Sequence, residues 1–125
     1  MAGPAFVQRT ALVVETNAVI KMAILNLVEM AGLTALQAGN ADEALRILEH
    51  RADVALVSTS VVMQGGTDGV DLAYAVEKRW PAIKVIVVSG KRGLSESDLP
   101  TNSLFLAKPF HDEELIFEIR SLTGP

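Results

Sequence analysis

The sequence predicts an α/β domain whose parallel five-stranded sheet is covered by helices on both faces. Short apolar runs rich in β-branched residues recur along the chain. They are almost continuously apolar rather than alternating, as expected of strands buried on both faces. Stretches with apolar residues at helical spacing separate them, so strands and helices take turns. The chain has 125 residues and 50% are apolar, which suits one domain with a sizeable core.

Residues 1–9 contain Gly3 and Pro4 and are expected to form a loose leader, with the domain over 10–123. Thr10–Val14 (TALVV) reads as a buried strand. Glu15-Thr16-Asn17 follows, and Thr16 and Asn17 have side chains suited to capping a helix. That helix is predicted over Ala18–Ala31, with Ile20, Ile24, Leu27 and Ala31 on one side and Gly32 as its C-terminal cap. Leu33–Ala38 is a second strand. Asn40, with Glu43 three residues on, forms a variant of the capping box. The helix it opens, Ala41–Arg51, buries Ala44, Leu45 and Leu48.

Val54–Thr59 is the third strand, and Ser60 lands at its carboxyl end. Gly65-Gly66-Thr67-Asp68-Gly69 is a loop. Val70–Arg79 is helical with Leu72, Ala73 and Val76 inward, and Pro81 stops it. Lys84–Ser89 (KVIVVS) is the clearest strand in the chain. Gly90–Pro100 is polar and admits only a short helix near Ser95–Leu99. Ser103–Ala107 is a fifth strand, Lys108-Pro109-Phe110 a turn, and Asp112–Leu122 the last helix.

Right-handed crossovers leave few ways to connect such a (βα)5 pattern. At this length the natural one is a flavodoxin-like three-layer sandwich with strand order 2-1-3-4-5. Ligands then sit past the carboxyl ends of the strands, at the switch point between strands 1 and 3. Glu15, Thr16 and Ser60 should face one crevice there, with Ser89 and Lys108 arriving from strands 4 and 5.

Net charge is −4 with acids and bases interspersed, which argues against a nucleic-acid partner. Without cysteines there is no disulfide framework and no thiolate zinc site. No signal peptide is apparent, and no apolar run reaches the ~18 residues a membrane helix needs. A cytoplasmic protein with no membrane contact is the expectation.

The order Val-Val-Glu, a strand ending before Met63-x-Gly65, Asp68-Gly69, Val-Ile-Val-Val-Ser-Gly and Lys108-Pro109-Phe110 resembles bacterial response-regulator receiver domains, over roughly Thr10 to Leu122. The resemblance implies a signalling module of a two-component phosphorelay. In that family an acidic pair after strand 1 and an Asp after strand 3 bind Mg2+, and that Asp accepts a phosphoryl group from a histidine kinase. A hydroxyl after strand 4 and the Lys of Lys-Pro contact the phosphoryl group. Here the acidic pair is matched by Glu15 and Thr16, and the acceptor position by Ser60. Val62 takes the place whose backbone carbonyl helps hold the metal, and Gln64 replaces the usual Pro. Ser89 and Lys108 match the hydroxyl and the lysine.

Two of three family carboxylates are therefore replaced. Mg2+ usually takes one or two carboxylates alongside waters, so weak or absent Mg2+ binding is expected. A serine hydroxyl is a weak nucleophile without a base to activate it. Neutral Thr16 and Ser60 also remove the repulsion that clustered carboxylates suffer without metal. Lys108 and Glu15 are then expected to pair across the crevice. The leading expectation is a divergent receiver, not an enzyme, that acts on protein partners without phosphorylation. Those partners would be a histidine kinase or an output domain. Two alternatives stand beside it. One is an ordinary phosphoryl acceptor using Asp53 or Asp68, although Asp53 precedes strand 3 and should lie at the wrong end of the sheet. The other is a small flavodoxin-like ligand-binding protein or enzyme, such as a flavin carrier, although no phosphate-cradling Gly-rich loop follows strand 1.

The last helix adds a surface. At about 100° per residue, Leu115, Ile116, Ile119 and Leu122 share one arc that should face the sheet. Phe117 lies nearly opposite, among Glu113, Arg120 and Ser121. The resemblance implies a dimer and partner face made of helix 4, strand 5 and helix 5, and Phe117 is expected to belong to it.

Overall fold

The computed structural model describes residues 9–62, 68–90 and 95–124. The leader expected over residues 1–9 lies outside them, except for Arg9. The strands are β1 (Thr10–Val14), β2 (Thr34–Ala38), β3 (Val54–Ser60), β4 (Lys84–Ser89) and β5 (Ser103–Ala107). The helices are α1 (Ala18–Met30), α2 (Ala41–His50), α3 (Gly69–Arg79) and α4 (Asp112–Thr123). The short helix expected before β5 is a single 3-10 turn, Glu96–Asp98. All neighbouring strands pair in parallel, in the order β2-β1-β3-β4-β5. The flavodoxin-like three-layer architecture is therefore the observed one.

Alternation along the strands divides the core in two. Ala11, Val13, Leu56, Ile86, Val88 and Leu106 pack against Ile24, Leu27 and Val28 of α1 and Leu115 and Ile119 of α4. Leu12, Val14, Val57, Val85 and Val87 pack on the other face against Ala44 and Leu48 of α2 and Leu72, Ala73 and Val76 of α3. Both faces of the central strands are covered, which is why β1, β4 and the first four residues of β3 read as nearly continuous apolar runs.

Local signals set the helix ends. Asn17 caps α1, its side-chain oxygen accepting from the N–H groups of Val19 and Ile20. Thr16 does not share that role; its hydroxyl donates to the Gly39 carbonyl at 3.0 Å. Gly32, at φ 100°, closes α1. Its N–H reaches Glu29 O and the next N–H reaches Val28 O, a Schellman pattern. At α2, Asn40 accepts from Glu43 N–H, while the Glu43 carboxylate accepts from Gly39 N–H, one residue earlier than in a standard capping box.

The expected boundaries shift at one place that matters. β3 includes Ser60, and α3 begins at Gly69 rather than Val70. Gly69 N–H donates to Val61 O at 2.8 Å. A Cβ on Gly69 would overlap the Ser60 carbonyl and crowd the Thr59 hydroxyl. Only glycine lets the start of α3 lie this close to the end of β3.

Candidate functional site

The strand register brings the expected residues to one edge of the sheet. Val14 pairs with Thr59, so Glu15 stands beside Ser60 as the two strands run out. Ser60 pairs with Val88, and Ser89 pairs with Ala107, immediately before Lys108. Lys108 N–H donates to Ser89 O at 3.0 Å, joining the last two strand ends. Glu15 N–H donates to Ala38 O at 3.0 Å, which fixes the other side. Glu15, Thr16, Ser60, Ser89 and Lys108 thus share the carboxyl edge.

Each side chain there has an observed setting. Glu15 is buried, and one carboxylate oxygen accepts from Asn17 N–H at 2.9 Å. Ser89 is buried too. The Ser60 hydroxyl donates to the Val62 carbonyl in a long 3.4 Å contact. The Ser60 carbonyl accepts from the Thr59 hydroxyl at 2.8 Å. Val62 is 74% exposed beyond the strand end. Met63 and Gln64, which entered the sequence register, lie outside the described residues.

One expectation fails at this edge. Among the described residues the ion pairs are Arg51–Asp53 and Arg79–Glu49, and Glu15 does not pair with Lys108. Glu15 turns instead to the backbone of its own loop. Lys108 lies over α1, lining a groove with Val19, Ile20 and Phe110.

The two other acids are placed clearly. Asp53 sits at the amino end of the sheet, opposite the carboxyl edge. It accepts from the Thr10 hydroxyl at 2.6 Å and pairs with Arg51 at 2.6 Å. The Arg51 guanidinium first, and then the Thr10 hydroxyl, hold its carboxyl far below the usual carboxylate range. Asp68 is the N-cap of α3, accepting from Asp71 N–H at 2.9 Å.

Phe117 is 67% exposed, as its helical phase requires. Its neighbourhood differs from the expectation. The groove it lines is closed by Met30 at the end of α1. Phe117 therefore sits beside the end of α1, a neighbour that the expected face of helix 4, strand 5 and helix 5 did not include. The reason is its phase: Glu113, Phe117 and Arg120 share the flank of α4 that leans on α1, and Arg120 donates to the Met30 carbonyl at 3.2 Å.

Two contributors were missed in the sequence. In the sequence Gly69 reads only as loop, although a Gly following a capping Asp at a helix start is a usable signal. Met30 was not singled out, although α1 carries few charges on any face, which marks a helix with a second contact.

Comparison with known proteins agrees with this architecture. An NtrX-like response regulator of Rickettsia bellii is 26% identical over 114 residues, which are 87% of this chain and 23% of that protein. The chain thus spans about a quarter of that relative's length. A receiver protein from Pseudomonas putida is 30% identical, with a TM-score of 0.77 over 91% of this chain and 96% of its own. One from Sinorhizobium medicae shares the fold, with a TM-score of 0.85 at 22% identity over 93% of this chain and 94% of its own. Residues 11–120 match the response regulator receiver domain. With its five-stranded order and its carboxyl-edge register, the chain belongs to the response regulator receiver domain family of two-component systems.

Proposed function

We propose that this receiver domain signals by protein–protein contact without being phosphorylated, and that it turns over no substrate. The observation that carries the reading is Ser60. It occupies the end of β3 beside Glu15, the position that the resemblance gives to the acceptor carboxylate. A hydroxyl there needs a base to become a nucleophile. The Ser60 hydroxyl points its proton at the Val62 carbonyl, and the Glu15 carboxylate is engaged by Asn17 N–H. Among the described residues, no base accepts a hydrogen bond from the Ser60 hydroxyl.

The donor set around Ser60 does not fit Mg2+. That ion is held by hard, charged oxygens, usually one or two carboxylates and waters. Glu15 is the one carboxylate at the matched positions, and Thr16 directs its hydroxyl proton to Gly39 O. Among the described residues, no cluster of three or more His, Cys, Asp or Glu forms a metal site. These facts support weak or absent Mg2+ binding.

The alternative acceptors have little geometric support. Asp53 is at the far end of the sheet in an ion pair, and Asp68 is spent on the first turn of α3. The partner in this reading is a cytoplasmic histidine kinase or an output domain that reads one fixed state of the receiver. No described helix is long and apolar enough to cross a membrane.

The test is incubation with acetyl phosphate and Mg2+, read by intact mass. The expected result is no added phosphoryl group on the wild-type chain. Ser60→Asp restores a second carboxylate and should raise Mg2+ affinity at least about tenfold, or ~1.4 kcal/mol. Stoichiometric labelling of any wild-type residue would overturn the proposal.

A further inference from the structure

We infer that the α1–α4 face is a two-fold interface with a second copy of this chain. Val19, Met22, Met30 and Phe117 are exposed by 80%, 67%, 56% and 67%. They are four of the six large apolar side chains exposed among the described residues, and all four lie on α1 or α4. On α1, Val19, Met22, Ala23, Asn26 and Met30 are all exposed and follow one stripe at helical spacing. The charges of α1, Lys21 and Glu29, both fall outside that stripe, on one side of it. A helix that is apolar on its outer as well as its inner face has a partner on both. The groove lined by Met30, Ile116 and Phe117 at one end and the groove lined by Val19, Ala23 and Phe110 at the other continue this surface.

Charge identifies the occupant. Glu113 and Arg120 stand four residues before and three residues after Phe117, on the same flank of α4, and both are exposed. A two-fold axis beside Phe117 lays α4 antiparallel to its copy. Glu113 of each copy then meets Arg120 of the other, and Ile116 and Phe117 cross at the centre. One acid and one base placed this way complement themselves, which is the requirement of an isologous contact. Arg120 has five N–H donors, and one of its terminal nitrogens holds the Met30 carbonyl. That bond ties α1 to α4, so both helices present one surface while other N–H groups remain to meet a carboxylate.

This interface deepens the reading above, because it needs no phosphoryl group, yet the two fail separately. Mass measured without any phosphodonor tests the interface, and acetyl phosphate labelling tests the pocket. Sedimentation equilibrium of the full chain should give a dimer. Phe117→Glu should give a monomer whose circular dichroism and thermal midpoint stay near those of the wild type. Glu113→Arg and Arg120→Glu should each be monomeric alone and dimeric when mixed in equal amounts, since the mixture restores both ion pairs. A wild type with the mass of one chain at every loading concentration would sink the proposal. So would a dimer that survives Phe117→Glu, or a mixture of the two charge variants that stays monomeric. A monomeric wild type whose binding to a different protein is lost in Phe117→Glu would assign the face to that protein and overturn it equally.

Discussion

Two serines of β3, two residues apart, show how position decides what a hydroxyl does. Ser60 reaches the strand end and finds the Val62 carbonyl. Ser58 lies on the same face deeper in the sheet, 1% exposed, and its hydroxyl has no hydrogen-bond partner. Its neighbours in register are Val13 and Ile86, both apolar. An unpaired buried hydroxyl costs about 1–3 kcal/mol, and replacing it with an apolar group is neutral or stabilising. Ser58→Ala should therefore raise unfolding stability by about 1 kcal/mol, less a small loss of packing. Urea denaturation would measure it. A clear loss of stability would mean that the hydroxyl has a partner after all, such as an ordered water.

At the scale of elements, the junction of β3 and α3 governs the pocket. Asp68 caps α3, and Gly69 brings its first turn against the Ser60 carbonyl. Gly69→Ala should force these two backbones apart. Overpacking of this kind costs about 1–3 kcal/mol, and backbone atoms yield less readily than side-chain ends. The expected result is a lower denaturation midpoint at an unchanged slope. Wild-type stability in Gly69→Ala would refute the close approach. The capping signals at Asn17, Gly32 and Asn40 were legible in the sequence because capping is a local event between residues within one turn. The role of Gly69 was not, because its close neighbour Ser60 belongs to another element.

At the scale of the molecule, the two ends of the sheet have different duties. The carboxyl edge carries Glu15, Ser60, Ser89 and Lys108. The amino edge is tied by Thr10, Asp53 and Arg51, through the Thr10–Asp53 hydroxyl bond and the Arg51–Asp53 pair. Asp53 has a depressed carboxyl pKa in the folded chain. Its contribution is full above the unfolded value near 4 and is lost as pH falls toward the folded value. Asp53→Asn should be less stable than wild type near neutral pH, and the gap should close as pH drops below about 4. Denaturation midpoints of both chains over that range check the sign; a gap that widens in acid would contradict it.

The alternation of apolar runs and helical stretches determined the five parallel strands, their order and the residues of the carboxyl edge. Those features follow from periodicity and chain length, which the sequence carries directly. It also set the phase of α4 that exposes Phe117. Tertiary structure alone decided what lies beside each exposed or charged group. It set Met30 next to Phe117, 87 positions away in the chain. It turned Glu15 toward Asn17 rather than Lys108, and it paired Thr10 with Asp53 across β1 and β3. The physical reason is that a side chain's phase on its own element is a local property. Its neighbours depend on how whole elements settle against the sheet, and that is fixed by packing across the core rather than by any one stretch of sequence.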